Sequence, residues 1–542
     1  MKERTYRHKY LLIDNAHILE MGGLQRTVNQ AVKHPEPVFR MDAPWDQDDE
    51  MLNFMNVIRD EDEGIFKMWY CVIRRGGGDH DEPRKLAYAT STDGLHWERP
   101  ELGLLEINGS KKNNYIVPVF DMVPSIIKDP SDIPDRRYKM IFSVLGKEMT
   151  WARFYSPLNL AYSADGIHWQ RPVHVNPVLR GISDDCFSLL YDADRRKYLL
   201  FTRRVPNLPR DISLYESYDL VNWEDKGRVL VGGDEHDPPE LYNFYYMTPF
   251  RYEDFFLSMV AAQYTSPISE TYDAYNCPPD WANTKLGQMD IQLACSRDGR
   301  NWHRPVRRTA VIPCEPDGTF DDGGVYPVER PVVIDGQTWI YYLSSRNRHS
   351  YWHEDQLKKS GLPPRDSACA RLAKMPEDHW VSLDAGSQEG TLLTKPIPFG
   401  HEILVNADAD GGSVEAEIIT PFGQVIEGFS RGECVRLKAD GENQPLRWTS
   451  GRKTTELSND HRGGILMRFY LRSAKLYSYT VIEPDPEGNC AAYWTSARWC
   501  EIIKHKSDNW DRLSTEPAGG LPPHGGPGPE RGQEKPGEMV VD

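Results

Sequence analysis

Ser91-Thr92-Asp93-Gly94-Leu95-His96-Trp97 follows a short, mostly apolar run, Leu86-Ala87-Tyr88-Ala89-Thr90, and precedes Arg99-Pro100. The phrase returns as Ser163-Ala164-Asp165-Gly166-Ile167-His168-Trp169 with Arg171-Pro172, and as Ser296-Arg297-Asp298-Gly299-Arg300-Asn301-Trp302 with Arg304-Pro305. A weaker copy, Ser217-Tyr218-Asp219-Leu220-Val221-Asn222-Trp223, lacks the glycine, and Glu377-Asp378-His379-Trp380 keeps only the frame. Strand-built repeats of roughly 50 to 80 residues mark a propeller or a similar array. Ser and Asp side chains hold turns by bonding nearby N–H groups, and Gly permits the positive φ of a tight hairpin. Trp is expected to pack between neighbouring sheets with its indole N–H near a partner. The phrase therefore speaks of architecture, and function must come from what the architecture points inward.

Strand signals fall between the copies. Met51 to Ile58, Phe66 to Val72 and the run from Leu86 form a first group, and Val123 to Ile127 with Tyr138 to Phe142 a second. Asp185 to Tyr191 with Tyr198 to Arg203, Leu241 to Tyr246 with Phe255 to Val260, and Val328 to Ile334 with Trp339 to Leu343 supply three more. The runs alternate or are continuously apolar, and Gly, Asp or Asn punctuates the connections. After Trp380 the spacing changes, and four further runs end near Val481. The expected fold is all-β: a five-bladed β-propeller followed by a C-terminal β-sandwich. The expected division is a lead-in over 1–40, the propeller over 41–390, the sandwich over 395–483 and a Pro/Gly/Glu-rich disordered tail over 505–542.

Lys+Arg 64 against Asp+Glu 81 leaves a net charge of −17 with no basic block. That argues against nucleic acid or an anionic membrane as partner. The N-terminus is polar and no apolar run reaches membrane-spanning length, so a cytoplasmic location is expected. Nine scattered cysteines without a C-x-x-C form neither a disulfide framework nor a zinc ribbon. His236-Asp237 with Glu240 has no second histidine nearby, so no metal site is expected. No cofactor is expected either; a calcium or sodium ion in the channel stays open. The 15 Trp and 27 Tyr suit both a propeller core and platforms for sugar rings.

Acids stand just before the first strand of every unit. They are Asp46, Asp48, Asp49 and Glu50 after Pro44-Trp45, then Asp121, then Asp184 and Asp185, then Glu240 before Leu241-Tyr242, then Asp321 and Asp322. Each could equally cap a turn or sit solvated on the surface. Arg203 or Arg204, Arg346 and His349 follow strands that could carry them to the same place.

Five strand groups closing on S-x-D-G-x-x-W, then a linker and a sandwich, resemble the five-bladed propeller glycoside hydrolases of families 32 and 43, as a distant relative. The W-M-N-D-P-N-G signature of the fructosidases is absent. The resemblance implies a glycosidase acting on a carbohydrate substrate with three acids on successive blades. Carried onto this chain it implies Asp46 as base or nucleophile, Asp185 as tuning acid and Glu240 as proton donor. Asp121 and Asp322 stand in reserve, with Trp45, Tyr242, Arg203, Arg346 and His349 as substrate-binding residues. Two other readings stay open: a glycan phosphorylase, which needs a basic phosphate pocket, and a non-catalytic glycan-binding propeller.

Overall fold

The computed structural model describes residues 5–74, 84–120, 124–143, 156–183, 186–203, 211–232, 241–264, 288–315, 319–346, 364–457, 461 and 464–484. Among them the chain is nearly all strand, with a few single-turn 3-10 segments and no α-helix. No helix there is long and apolar enough to cross a membrane.

Five antiparallel sheets follow one another along the chain. The first is Glu50–Asp60, Ile65–Arg74, Arg84–Ser91 and Tyr115–Phe120. The second is Ser125–Lys128, Tyr138–Ser143, Ser156–Ser163 and Trp169–Gln170, with Leu179–Ser183 also on the third strand. The third is Phe187–Asp192, Lys197–Arg203, Ile212–Ser217 and Glu224–Leu230, and the fourth Leu241–Tyr252, Phe255–Tyr264, Met289–Ser296 and Ala310–Ile312. In the fifth, Gly324–Pro327, Gln337–Ser345 and Ala368–Pro376 are completed by Val32–Lys33 from the start of the chain. First strands of successive sheets touch, and the fifth sheet touches Glu50–Asp60, so the five sheets close into a ring.

Two later sheets share one apolar core, which includes Val405, Tyr479, Val414 and Phe469. Thr5–Leu11, Ile18–Gly22 and Gln25–Val28 all pair into these sheets. Residues 5–28, expected as a lead-in, are thus strands of the later unit. That unit also takes up Val381–Ala385 and Gly390–Thr394, directly after Trp380. The tail at 505–542 lies outside the described residues.

The repeated phrase makes one turn four times over. Ser91 Oγ accepts from the N–H of Gly94, and Asp93 Oδ1 from those of Leu95 and His96, each at 2.8 Å. The same bonds recur at Ser163 and Asp165, at Ser217 and Asp219, and at Ser296 and Asp298. The indoles of Trp169, Trp223 and Trp302 donate back to the carbonyl of residue three before them. They therefore fold over their own turn, and Trp169 stays half-buried instead of sinking between sheets.

Two of the turns are also plugged from the preceding sheet. Trp69, on the second strand of the first sheet, donates its indole N–H to the Gly166 carbonyl at 2.6 Å. A Cβ on Gly166 (φ +82°) would lie 2.5 Å from Trp69 Cζ2, so the left-handed turn and the close ring both demand glycine. Tyr341 Oη makes the matching bond to the Gly94 carbonyl at 2.8 Å. In strand register the second sheet's counterpart of Trp69 is the smaller Ile141, which shares a core cluster with Leu220. The leucine in place of glycine at position 220 thus has a steric rationale: the neighbour leaves room for a side chain, although Leu220 keeps φ +65°.

In the fifth copy the acid has a different task. Buried Asp378 accepts from Lys9 (3.1 Å), Tyr252 (2.8 Å), Asn406 (2.8 Å) and Ser478 (2.8 Å), so it fastens the ring to the later sheets.

Candidate active site at the open rim of the ring

Strand alternation sorts the connections onto two rims. The tight turns after first strands and the Asp turns after third strands share one rim. The connections from second to third strands, and the segments leading into first strands, share the other. Of the acids singled out in the sequence, Asp46, Asp48, Asp49, Asp321 and Asp322 are described; they precede first strands and so belong to that second rim, and Glu50 opens the first strand itself.

The aromatic floor beneath it is well defined. Phe54 packs edge-on against Tyr246 and Tyr326, with centroids 5.6 and 6.2 Å apart, and Tyr245 against Tyr326 at 6.1 Å. Arg203 lies buried with its guanidinium 4.4 Å from the Tyr245 ring centre. This puts a cation and aromatic faces at the ring's centre, side chains suited to a sugar ring.

Glu329 closes the axis at mid-depth. It is 2% exposed, accepts from Ser188 Oγ and Tyr246 Oη, each at 2.9 Å, and also feels Ser125. Ser188 sits on the third sheet and Glu329 just after the first strand of the fifth, so the bond crosses the axis. Burial pushes this carboxyl up, against the opposing pull of Arg330 and the hydroxyl donors. The expected channel is therefore a mouth with a floor. Sequence reasoning passed over Glu329; its only signal was a charged pair, Glu329-Arg330, inside an apolar run. Asp290 was also missed. It accepts from Tyr264 Oη at 2.7 Å and from Gln292 at 3.1 Å near the start of a third strand.

The expected site residues fall as follows. Asp46 is 7% exposed, in a turn leading into the first sheet, and its Oδ2 accepts from the Ala43 N–H at 2.9 Å. Its Oδ1 is buried without a partner among the described residues. Burial raises its pKa, Arg99 opposes this, and Glu50 and Asp42 add to it. Trp45 is half-buried and donates its indole N–H to Asn114 Oδ1 at 2.9 Å, so it anchors this turn. Asp322 is half-buried and its carbonyl accepts from Gln288 at 2.8 Å. Arg346 stacks over Phe320 at 4.3 Å, and Arg40 over the same ring at 4.5 Å. Tyr242 lies in the strand Leu241–Tyr252, its side chain outside the description, and Asp121, Asp185, Glu240 and His349 lie outside the described residues. No group of three His, Cys, Asp or Glu among the described residues is arranged to hold a metal ion.

No protein-family model matches the chain, and no curated protein is similar to it. Among solved structures it is similar to the GH32 β-fructofuranosidase BmSUC1 of Bombyx mori, at 13% identity over 83% of this chain and 94% of that one, TM-score 0.39. It is similar to an N-acetylgalactosamine deacetylase from F. plautii in complex with blood group B trisaccharide, at 14% identity over 66% and 97%, TM-score 0.39. A third likeness is to a structure described under the GH130 family of mannoside phosphorylases, which contains glycoside hydrolases that target β-1,2 mannosidic linkages in Candida mannan. There the identity is 13% over 65% and 94%, TM-score 0.37. Likenesses this remote do not assign the chain to a family.

Proposed function

We propose that this chain is a glycoside hydrolase: a five-bladed β-propeller whose strands run from Glu50 to Pro376 and are completed by Val32–Lys33, joined to a β-sandwich built from strands of 5–28 and 381–484, that cleaves glycosidic bonds by carboxylate acid/base catalysis at the propeller mouth. The observation that carries the reading is the coincidence on one rim of the described segments bearing Asp46 and Asp322 with the Arg203–Tyr245 floor. Glycoside hydrolysis needs one protonated and one ionised carboxyl across the scissile bond. Glu240 is assigned the proton, and Asp185 the tuning of its neighbours. Asp46 suits the base role poorly, because burial favours its protonated form and its Oδ2 is already engaged. The ionised partner in this reading is Asp322, on the same rim and partly open to solvent.

One observation favours a second reading. Arg40 and Arg346 both stack on Phe320 beside the fifth sheet's open rim, and no carboxylate pairs with either among the described residues. Such a basic patch suits inorganic phosphate, hence a glycan phosphorylase. The test is incubation of the full chain with a panel of oligosaccharides, with and without phosphate. Reducing ends released without phosphate support hydrolysis. Sugar 1-phosphate formed only with phosphate supports the second reading, and binding without cleavage in either condition contradicts both.

A further inference from the structure

The cations around the open end of the fifth sheet fall into two groups. Lys33 and Arg371 pair with Asp321 and Glu315, and Arg365 pairs with Asp48 at 3.0 Å. Arg40 and Arg346 make no ion pair among the described residues, and each lies instead against the Phe320 ring, at 4.5 and 4.3 Å. The three side chains come from separate segments that meet at one rim. Phe320 leads into Gly324–Pro327, Arg346 directly follows Gln337–Ser345, and Arg40 follows Phe39, which bridges to Ala370 near the start of Ala368–Pro376. Cys369 feels both Arg40 and Arg371, which sets Arg40 beside this end of the strand. Arg346 Nε is buried and has no partner among the described residues. Two like charges on one ring repel each other, and they stay unpaired in a chain whose net charge is −17. A spare donor and two guanidiniums held beside an aromatic face suit an oxyanion carried on a ring-shaped ligand. Hydrolysis consumes only water, so in a hydrolase this charge is left to recognise the substrate.

We propose that the glycan held at this rim is an acidic one, whose oxyanion (a uronate carboxylate or a sulfate ester) sits on Arg40 and Arg346 beside Phe320. The proposal rests on the reading of this rim as a glycan site, and its test keeps the two apart. Glucuronate, galacturonate and mannuronate, the 6-sulfates of glucose and galactose, and the neutral parent hexoses are titrated into the full chain by calorimetry at low salt. At least one acidic sugar is expected to bind about tenfold or more tightly than its neutral parent. A uronate in that place assigns a carboxylate, and a 6-sulfate assigns a sulfate ester. Arg40→Gln and Arg346→Gln should each remove most of the preference and leave the neutral sugar's affinity unchanged. Arg40 is exposed, so Arg40→Gln carries the test if Arg346→Gln fails to fold. Arg365→Gln, at a cation that already has its carboxylate, should leave the preference unchanged. Neutral sugars binding as tightly as acidic ones overturn this proposal alone. So does a preference that survives Arg40→Gln and Arg346→Gln, or that Arg365→Gln removes equally well. Failure of every sugar to bind, acidic or neutral, overturns both this proposal and the glycan reading. Inorganic phosphate binding more tightly than every acidic sugar assigns the pair to phosphate and overturns the proposal too.

Discussion

The two rims of the ring are built by opposite rules. On one, four copies of the same phrase make the same turn, with Ser and Asp accepting from the same backbone positions to within about a tenth of an ångström. On the other, nothing repeats: the connections differ in length and composition, and the acids share only their place before a first strand. Repetition marks the rim whose work is local hydrogen bonding, which every unit needs alike. A substrate meets the five units at five different angles, so a site has no reason to repeat. Variation over a fixed scaffold is where chemistry is expected to reside.

That contrast can be tested from the turn rim first, where the largest effects on stability are expected. Trp380 is fully buried, so Trp380→Ala should cost about 3 to 5 kcal/mol in urea unfolding. Half-buried Trp169→Ala should cost less than half as much; equal losses would mean that burial does not distinguish the copies. Next comes Gly166→Ala, which combines a left-handed backbone with a Cβ driven into Trp69 and should cost about 2 kcal/mol or more. Leu220→Gly loses buried surface but relieves the same backbone strain, so a net cost near about 1 kcal/mol is expected. If the two changes cost the same, the plugging of turns by the preceding sheet is wrong.

The smallest effect concerns pH. Burial acts upward on Asp165, Asp219 and Asp298, but the hydrogen bonds of the turn outweigh it and hold each at about 2. A depressed folded-state pKa contributes stability above the unfolded value of about 3.9, lost as pH falls toward the folded value. Thermal unfolding midpoints should therefore drop between about pH 4 and pH 2, and Asp165→Asn should shallow that drop. Solvent screening keeps each contribution below about 1 kcal/mol. A drop of unchanged size in Asp165→Asn would remove the turn acids as its cause.

How much of this was legible in the sequence follows from the range of each interaction. The Asp turns were readable because Ser91, Asp93 and Gly94 bond only to one another's neighbours. The strand groups were readable from their apolar runs. The burial of individual tryptophans was not, because Trp169 and Trp380 sit in the same frame and differ in what packs on them. Neither was the pairing of Thr5 with Pro484, which leaves no local pattern at either end. Glu329 was illegible for the same reason: its partners Ser125, Ser188 and Tyr246 come from three other sheets. The candidate acids were found by position alone. Position does not rank them, and the burial of Asp46 is a property its place in the sequence did not show.

The central claim, that the unrepeated rim carries the chemistry and the repeated rim only the fold, is tested most directly by crossing two variants with two readouts. Glu240→Gln and Asp165→Asn are each measured for turnover of one cleaved oligosaccharide and for urea unfolding. The account predicts that Glu240→Gln lowers turnover by a factor of about 100 or more with stability within about 0.5 kcal/mol of the native chain. Asp165→Asn should leave turnover within about twofold and lose measurable stability. Native turnover in Glu240→Gln, or a large loss of turnover in a stably folded Asp165→Asn, would contradict it.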